Sequence, residues 1–154
     1  MRKMISSVLL LSAAISCVSY GQARGTGMLW LPQPESPAIL VETNHTRSDF
    51  LHAAKLKNVS DHSITAYRIG WVAVYPSGRN KVGLGLPVDV PEGIKPGEVV
   101  AVPAQQVSPD FAREGASALV FFITDVHSAK GPTWSPILDK VEQEARELQK
   151  AVGS

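Results

Sequence analysis

The stretch Phe50-Leu-His-Ala-Ala-Lys-Leu-Lys-Asn58, Val59-Ser-Asp-His-Ser63, Ile64-Thr-Ala-Tyr-Arg-Ile-Gly-Trp-Val-Ala-Val-Tyr75 decides the fold. It reads as two extended segments joined by a tight polar turn. Asn58, Ser60, Asp61 and Ser63 have short side chains that hydrogen-bond nearby backbone, which suits a turn. Ile64, Thr65, Tyr67, Ile69, Trp71, Val72, Val74 and Tyr75 are β-branched or aromatic and fit a pleated surface. The second segment is apolar on both faces, so it is expected at the centre of a sheet with cover on two sides.

Working outward, residues 38–43 read as a strand with Ile39 and Val41 on one face, and residues 44–49 as a polar loop. Pro76-Ser77-Gly78 opens a turn. Val82, Leu84, Leu86, Val88 and Val90 then alternate strictly, with Gly83, Gly85 and Pro87 between them, the pattern of an edge strand or a bulged segment. Pro96-Gly97 suits the centre of a type II turn. Residues 99–103 form the next strand, and 105–115 a loop with one helical turn. Residues 117–126 form the last strand, apolar on both faces and therefore central. Residues 127–134 read as a loop. The period then changes: Ile137, Val141, Ala145, Leu148 and Val152 recur at helical spacing after Ser135 and Pro136, predicting a helix over about 136–151.

These elements predict a mainly β fold, an antiparallel Ig-like β-sandwich of six or seven strands with one C-terminal α-helix. The sandwich occupies 38–134, the helix 135–152, and a Pro/Gly-rich arm 24–37 precedes them. Trp30 in that arm is expected to pack against the domain. The apolar stripe of the helix needs a partner: its own sheet, another protein, or a second copy through self-association.

Leu56-Lys57-Asn58-Val59-Ser60-Asp61-His62-Ser63-Ile64-Thr65-Ala66-Tyr67 resembles the N-x-S-x-x-x-I-x-A hairpin of small exported bacterial Ig-like and fibronectin-III-like sandwiches. Ile94-Lys95-Pro96-Gly97-Glu98 resembles the I-x-P-G-E turn that precedes a strand in the same domains. The resemblance implies a fold and no single ligand. The helix after the last strand departs from its pattern.

Export is expected independently. Arg2 and Lys3 precede an apolar run from Met4 to Val18, and Gly21 and Ala23 offer small residues of the kind a signal peptidase reads, so residues 1–23 form a signal peptide. The run is shorter than the roughly 20 residues of a membrane-spanning helix, and no later segment is apolar enough to span. Ala14-Ile15-Ser16-Cys17 resembles a lipobox, which makes Cys17 a lipidation candidate and a lipid anchor an alternative to a periplasmic or secreted form. Cys17 is the only cysteine, so cleavage after Gly21 or Ala23 leaves neither a disulfide nor a thiolate nucleophile.

Chemistry is sparsely marked. The net charge is +1 and falls to −1 without Arg2 and Lys3, with no basic cluster, which argues against nucleic acid. His45, His52, His62 and His127 stand in no metal-binding spacing. Motifs for a nucleophilic serine or a phosphate-cradling loop are absent. No cofactor, metal or catalytic residue is expected. The row Tyr67, Trp71, Tyr75 reads as core rather than as a ligand platform, because Ile69 and Ala73 share its face. The binding surface is expected on loops, at His45, Asp49, Asp125, His127 and Trp134, together with the outer side of the helix. The reading is an exported, non-enzymatic binding or structural module of the cell envelope, with an envelope protein or glycan as partner. A small hydrolase using loop carboxylates or a histidine, and a self-assembling subunit, are the competing classes.

Overall fold

The computed structural model describes residues 27–44, 50–107 and 110–152. The fold-deciding stretch forms β3 (Phe50–Asn58) and β4 (Ile64–Val74), with the polar turn between them. The hairpin expectation is corrected here, because β3 and β4 do not pair. β3 belongs to one sheet and β4 to another, so the turn carries the chain across the core. The cause is local. The side chain of Asn58, buried, donates from Nδ2 to the carbonyls of His62 and Ile94, both at 2.8 Å, and its Oδ1 accepts from the Ser60 amide at 2.9 Å. One amide thus takes up the backbone groups of the corner and releases both strands to find neighbours elsewhere.

β3 pairs antiparallel with β2 (Ala38–Asn44) on one side and with β7 (Val99–Ala101) and β8 (Gln105–Gln106) on the other. β4 pairs antiparallel with β9 (Ala118–Ser128) along its whole length, and its far edge carries β5 (Asn80–Leu84) and then β6 (Val88–Ile94). β1 (Gly27–Trp30) lies beside β9. Nine strands are therefore described instead of six or seven. Pro103 falls in the break between β7 and β8, and Pro87 in the break between β5 and β6, where the chain lacks a donor for the ladder.

β1 also overturns the wholly antiparallel reading, because it runs parallel to β9 and makes that sheet mixed. The proline density masked a two-faced apolar strand. Met28 and Trp30 pack on the core between the sheets, Leu29 and Leu31 on the opposite face. Trp30 lies 5.1 Å from Phe121, centroid to centroid. Beyond Pro32, which cannot donate, the amide of Gln33 substitutes for backbone: it donates to the Ile123 carbonyl at 3.0 Å and accepts from the Ile123 N–H at 2.7 Å.

The main core fills the space between the sheets with Leu56, Ile64, Tyr67, Ile69, Trp71, Ile94, Leu119, Phe121 and Ile123 among others. Tyr67 and Trp71 of the aromatic row are therefore core, as expected, and Tyr75, just past β4, packs at its margin. A second cluster lies on the outer face of the five-stranded sheet, where Val72, Val74, Val120 and Phe122 meet Val141 and Ala145 of α2 (Leu138–Val152). The helix stripe thus finds its partner in its own sheet. The layers run helix, mixed sheet, antiparallel sheet. Gly70 allows this packing, because a Cβ there would stand 2.6 Å from Thr124 Cγ2 and 2.9 Å from the Gly83 carbonyl oxygen. Lys95 and Glu98 close the predicted type II turn (N–H···O=C, 3.0 Å), with Gly97 at φ 79° in the position that demands positive φ.

The single-turn helix α1 (Asp110–Arg113) leads to Glu114, which accepts from the Tyr75 hydroxyl at 2.8 Å and pairs with Lys81. Those two hydrogen bonds hold the Glu114 carboxyl below its ordinary range. Burial pushes the Tyr67 phenol from 10.0 up to about 12, and desolvation, then the Glu114 contact, raises Tyr75 to about 12. Folding therefore favours the protonated phenols. Their contribution is complete below pH 10 and is lost as pH rises toward about 12. Alkaline denaturation curves should show stability falling across that window, and Tyr67→Phe should flatten the fall. An unchanged slope in Tyr67→Phe would refute the assignment.

Candidate functional site

α2 covers only part of the outer face of the mixed sheet. The end of the sheet toward Ile64 and Ser128 is open, and there the β4–β9 register slips. Arg68 pairs with Asp125 but Ile69 pairs with Ile123, leaving Thr124 as an extra residue on β9. Such a bulge re-aims the side chains beyond it. Leu119, Phe121 and Ile123 face the core, and after the bulge Val126 does so. Asp125 and His127 consequently stand on the outer face beside Arg68.

Asp125 is the centre of this group, with its side chain 20% exposed. Its Oδ2 lies 3.6 Å from Arg68 Nε and accepts from Thr124 Oγ1 at 2.9 Å. Its Oδ1 lies 3.4 Å from His127 Nε2, and the other ring nitrogen, Nδ1, is 3.1 Å from Thr133 Oγ1. The result is a guanidinium–carboxylate–imidazole–hydroxyl chain whose first three members stand on strands and whose hydroxyl comes from the loop after β9. It borders a depression of about 440 Å³ whose other lining includes Thr65, Asp89, Pro87 and Pro91. Arg68 Nε is buried without a hydrogen-bond acceptor within the described residues, so the guanidinium is incompletely satisfied.

Of the residues expected at a binding surface, Asp125 and His127 are brought together here. His127 belongs to β9 and not to a loop, since the strand continues to Ser128. Trp134 does not join them: its backbone bridges to Val126 with reciprocal bonds of 3.0 Å, and its ring packs on the main core. His45 and Asp49 lie outside the described residues, as do Cys17 and the rest of residues 1–26. His62 sits at the exposed corner, 3.5 Å from Asp61. Arg68, Thr124 and Thr133 were not foreseen. A signal for Thr124 existed in the change of apolar spacing on β9, from every second residue to the three-residue step between Ile123 and Val126.

An apolar cleft of about 390 Å³ opens between the edges of the two sheets, lined by Trp30, Leu31, Leu40 and Ile123. Its one polar side chain, Gln33, is already bound to Ile123. Among the described residues no three His, Cys, Asp or Glu side chains converge as metal ligands would, and no helix is long and apolar enough to cross a membrane.

No family model, curated protein or solved structure matches the chain.

Proposed function

We propose that this chain is an exported, non-enzymatic binding module of the cell envelope, built as an Ig-like β-sandwich, that grips a polar group of an envelope protein or glycan over Arg68, Asp125 and His127. The observation that carries this reading is the Asp125 carboxylate, held between a guanidinium and an imidazole at the edge of an open depression. Guanidinium donors beside carboxylate acceptors match the hydroxyls of a sugar or the amides of a peptide. Strand-borne side chains already locked by neighbours lose little freedom on binding. Support for a non-catalytic role comes from the sequence, which carries no motif for a nucleophilic serine or a phosphate-cradling loop. The basic start, apolar run and small-residue cleavage positions at 1–23 support export, and Cys17 supports a lipid anchor as the variant form.

The test compares the unaltered chain with an Asp125→Asn, His127→Ala double variant on immobilised envelope glycans and envelope-protein extracts. A loss of at least about tenfold in retention is expected, since a charged hydrogen bond contributes roughly 1.5–3 kcal/mol. Equal retention by both proteins would refute the site.

The hydrolase reading rests on one observation, the Thr133–His127–Asp125 order of hydroxyl, imidazole and carboxylate. It requires turnover of an ester, peptide or glycoside panel that disappears in both Thr133→Ala and His127→Ala. Such turnover would displace the binding-module proposal.

A further inference from the structure

We propose that the free edge of β5 is the contact between two copies of this chain, paired antiparallel about a two-fold axis at Gly83. Val82, Leu84 and Leu86 are 37%, 54% and 79% exposed and follow one another at alternate positions. Val82 and Leu84 stand opposite Val72 and Gly70 of β4, so they extend the apolar outer face beyond the part that α2 covers. Single exposed apolar residues are ordinary, but a contiguous row on a sheet edge is an interaction surface.

The backbone along that row is also available. Gly85 N–H donates to the Ile69 carbonyl at 2.8 Å. Antiparallel pairs alternate, so Lys81 and Gly83 also turn their backbone groups toward β4, while Val82 and Leu84 turn theirs outward. Among the described residues, β5 pairs with no strand but β4.

The rest of the same edge is blunted, which makes the contrast informative. β6 contains Pro91, Gly93 at φ 72° and a register slip in which Val90 to Gly93 are set against the single residue Thr65. Prolines and bulges of this kind prevent strands from adding to an edge. At the opposite edge of the sheet, β1 offers four residues and ends before Pro32. β5 lacks such protection.

A second copy fits the edge better than an arbitrary strand, because β5 is self-complementary. With the axis at Gly83, Val82 faces the second copy's Leu84 and Leu84 its Val82, giving four backbone hydrogen bonds and two apolar cross-strand pairs. On the other face glycine meets glycine. Lys81 falls opposite the second copy's Gly85, so the two lysines avoid each other, and each is already engaged by its own Glu114. The patch is smaller than the roughly 800 Å² per partner of a standard stable interface, so the association is weak and concentration-dependent.

Sedimentation equilibrium on the full chain, as processed by its host, tests this. The mass should rise toward twice the monomer value through the micromolar range, and Leu84→Lys should hold it at the monomer. Amide hydrogen exchange on the unaltered protein provides a second reading that needs no variant. Val82 and Leu84 should become protected as concentration rises, while Lys81 and Gly83 stay protected throughout. A monomer at every concentration overturns the proposal. So does a dimer that dissolves with Ile137→Glu, just before the helix, and survives Leu84→Lys, or an exchange pattern at Val82 and Leu84 that concentration does not change.

Discussion

Replacing Asn58 with alanine is expected to lower folding stability by about 3–4 kcal/mol, because the His62 and Ile94 carbonyls and the Ser60 amide would each lose a partner at roughly 1–3 kcal/mol, partly regained from water at the exposed turn. Urea denaturation should show the midpoint falling with an unchanged slope. The backbone of Asn58 tightens the same knot. Its N–H donates to the Glu98 carbonyl at 3.0 Å, and its carbonyl accepts from Gly97 N–H at 2.9 Å. The N-x-S turn and the I-x-P-G-E turn, separate in sequence, therefore meet at one residue. Asn58→Asp separates the two roles of the side chain. It keeps the acceptor for Ser60 but sets a carboxylate against two carbonyls, so it should cost at least as much as alanine. A loss below about 1 kcal/mol in Asn58→Ala, the size of one ordinary hydrogen bond, would show that the corner holds without its amide.

That corner also marks how far the residues alone could be read. The two-sided apolarity of 64–74 and 117–126 announced two central strands, and both are central, paired with each other through most of their length. The helical period after Ser135 announced α2 to within two residues at its start. The polar run 58–63 announced a turn, but turn chemistry is local and does not state whether the following strand pairs back or crosses to the other sheet. That outcome depends on Ile94, 36 residues away, whose carbonyl Asn58 binds. β1 was hidden for a related reason. Pro32, Pro34 and Pro37 describe unpaired backbone after the strand, and they outweighed the apolar residues Met28 to Leu31 before it.

The candidate site was legible by half. Asp125 and His127 stand two apart in sequence, a spacing that places them on one face of any strand. Which face depends on the bulge at Thr124, and their neighbour Arg68 arrives from β4 through the register of the sheet. A cross-strand neighbour of this kind has no signature in the residues around it.

Phe122→Ala is the other substitution with a large expected effect, about 3–5 kcal/mol, the usual range for deleting a buried phenyl ring. Its ring is fully buried, yet on the side of the sheet away from the main core, among Val72, Val120, Val141 and Ala145. It also lies against the vacant side of Gly70, where a Cβ would come within 3.2 Å of Cε1. A helix that merely trailed from the last strand would leave this position exposed, and truncation would then cost well under 1 kcal/mol. Docking predicts more than a stability loss. With the ring gone, Val141 and Ala145 of α2 keep Val72, Val74 and Val120 but lose the largest side chain of the cluster, and an isolated helix of 15 residues is marginal in water. The helical part of the far-ultraviolet circular dichroism should therefore melt before the β signal in Phe122→Ala, while the two melt together in the unaltered chain. Leu148→Ala, at the half-buried margin of the same cluster, should shift the midpoint in the same direction by less. Coincident melting in Phe122→Ala with little loss of stability would show that the helix is not the third layer of this fold.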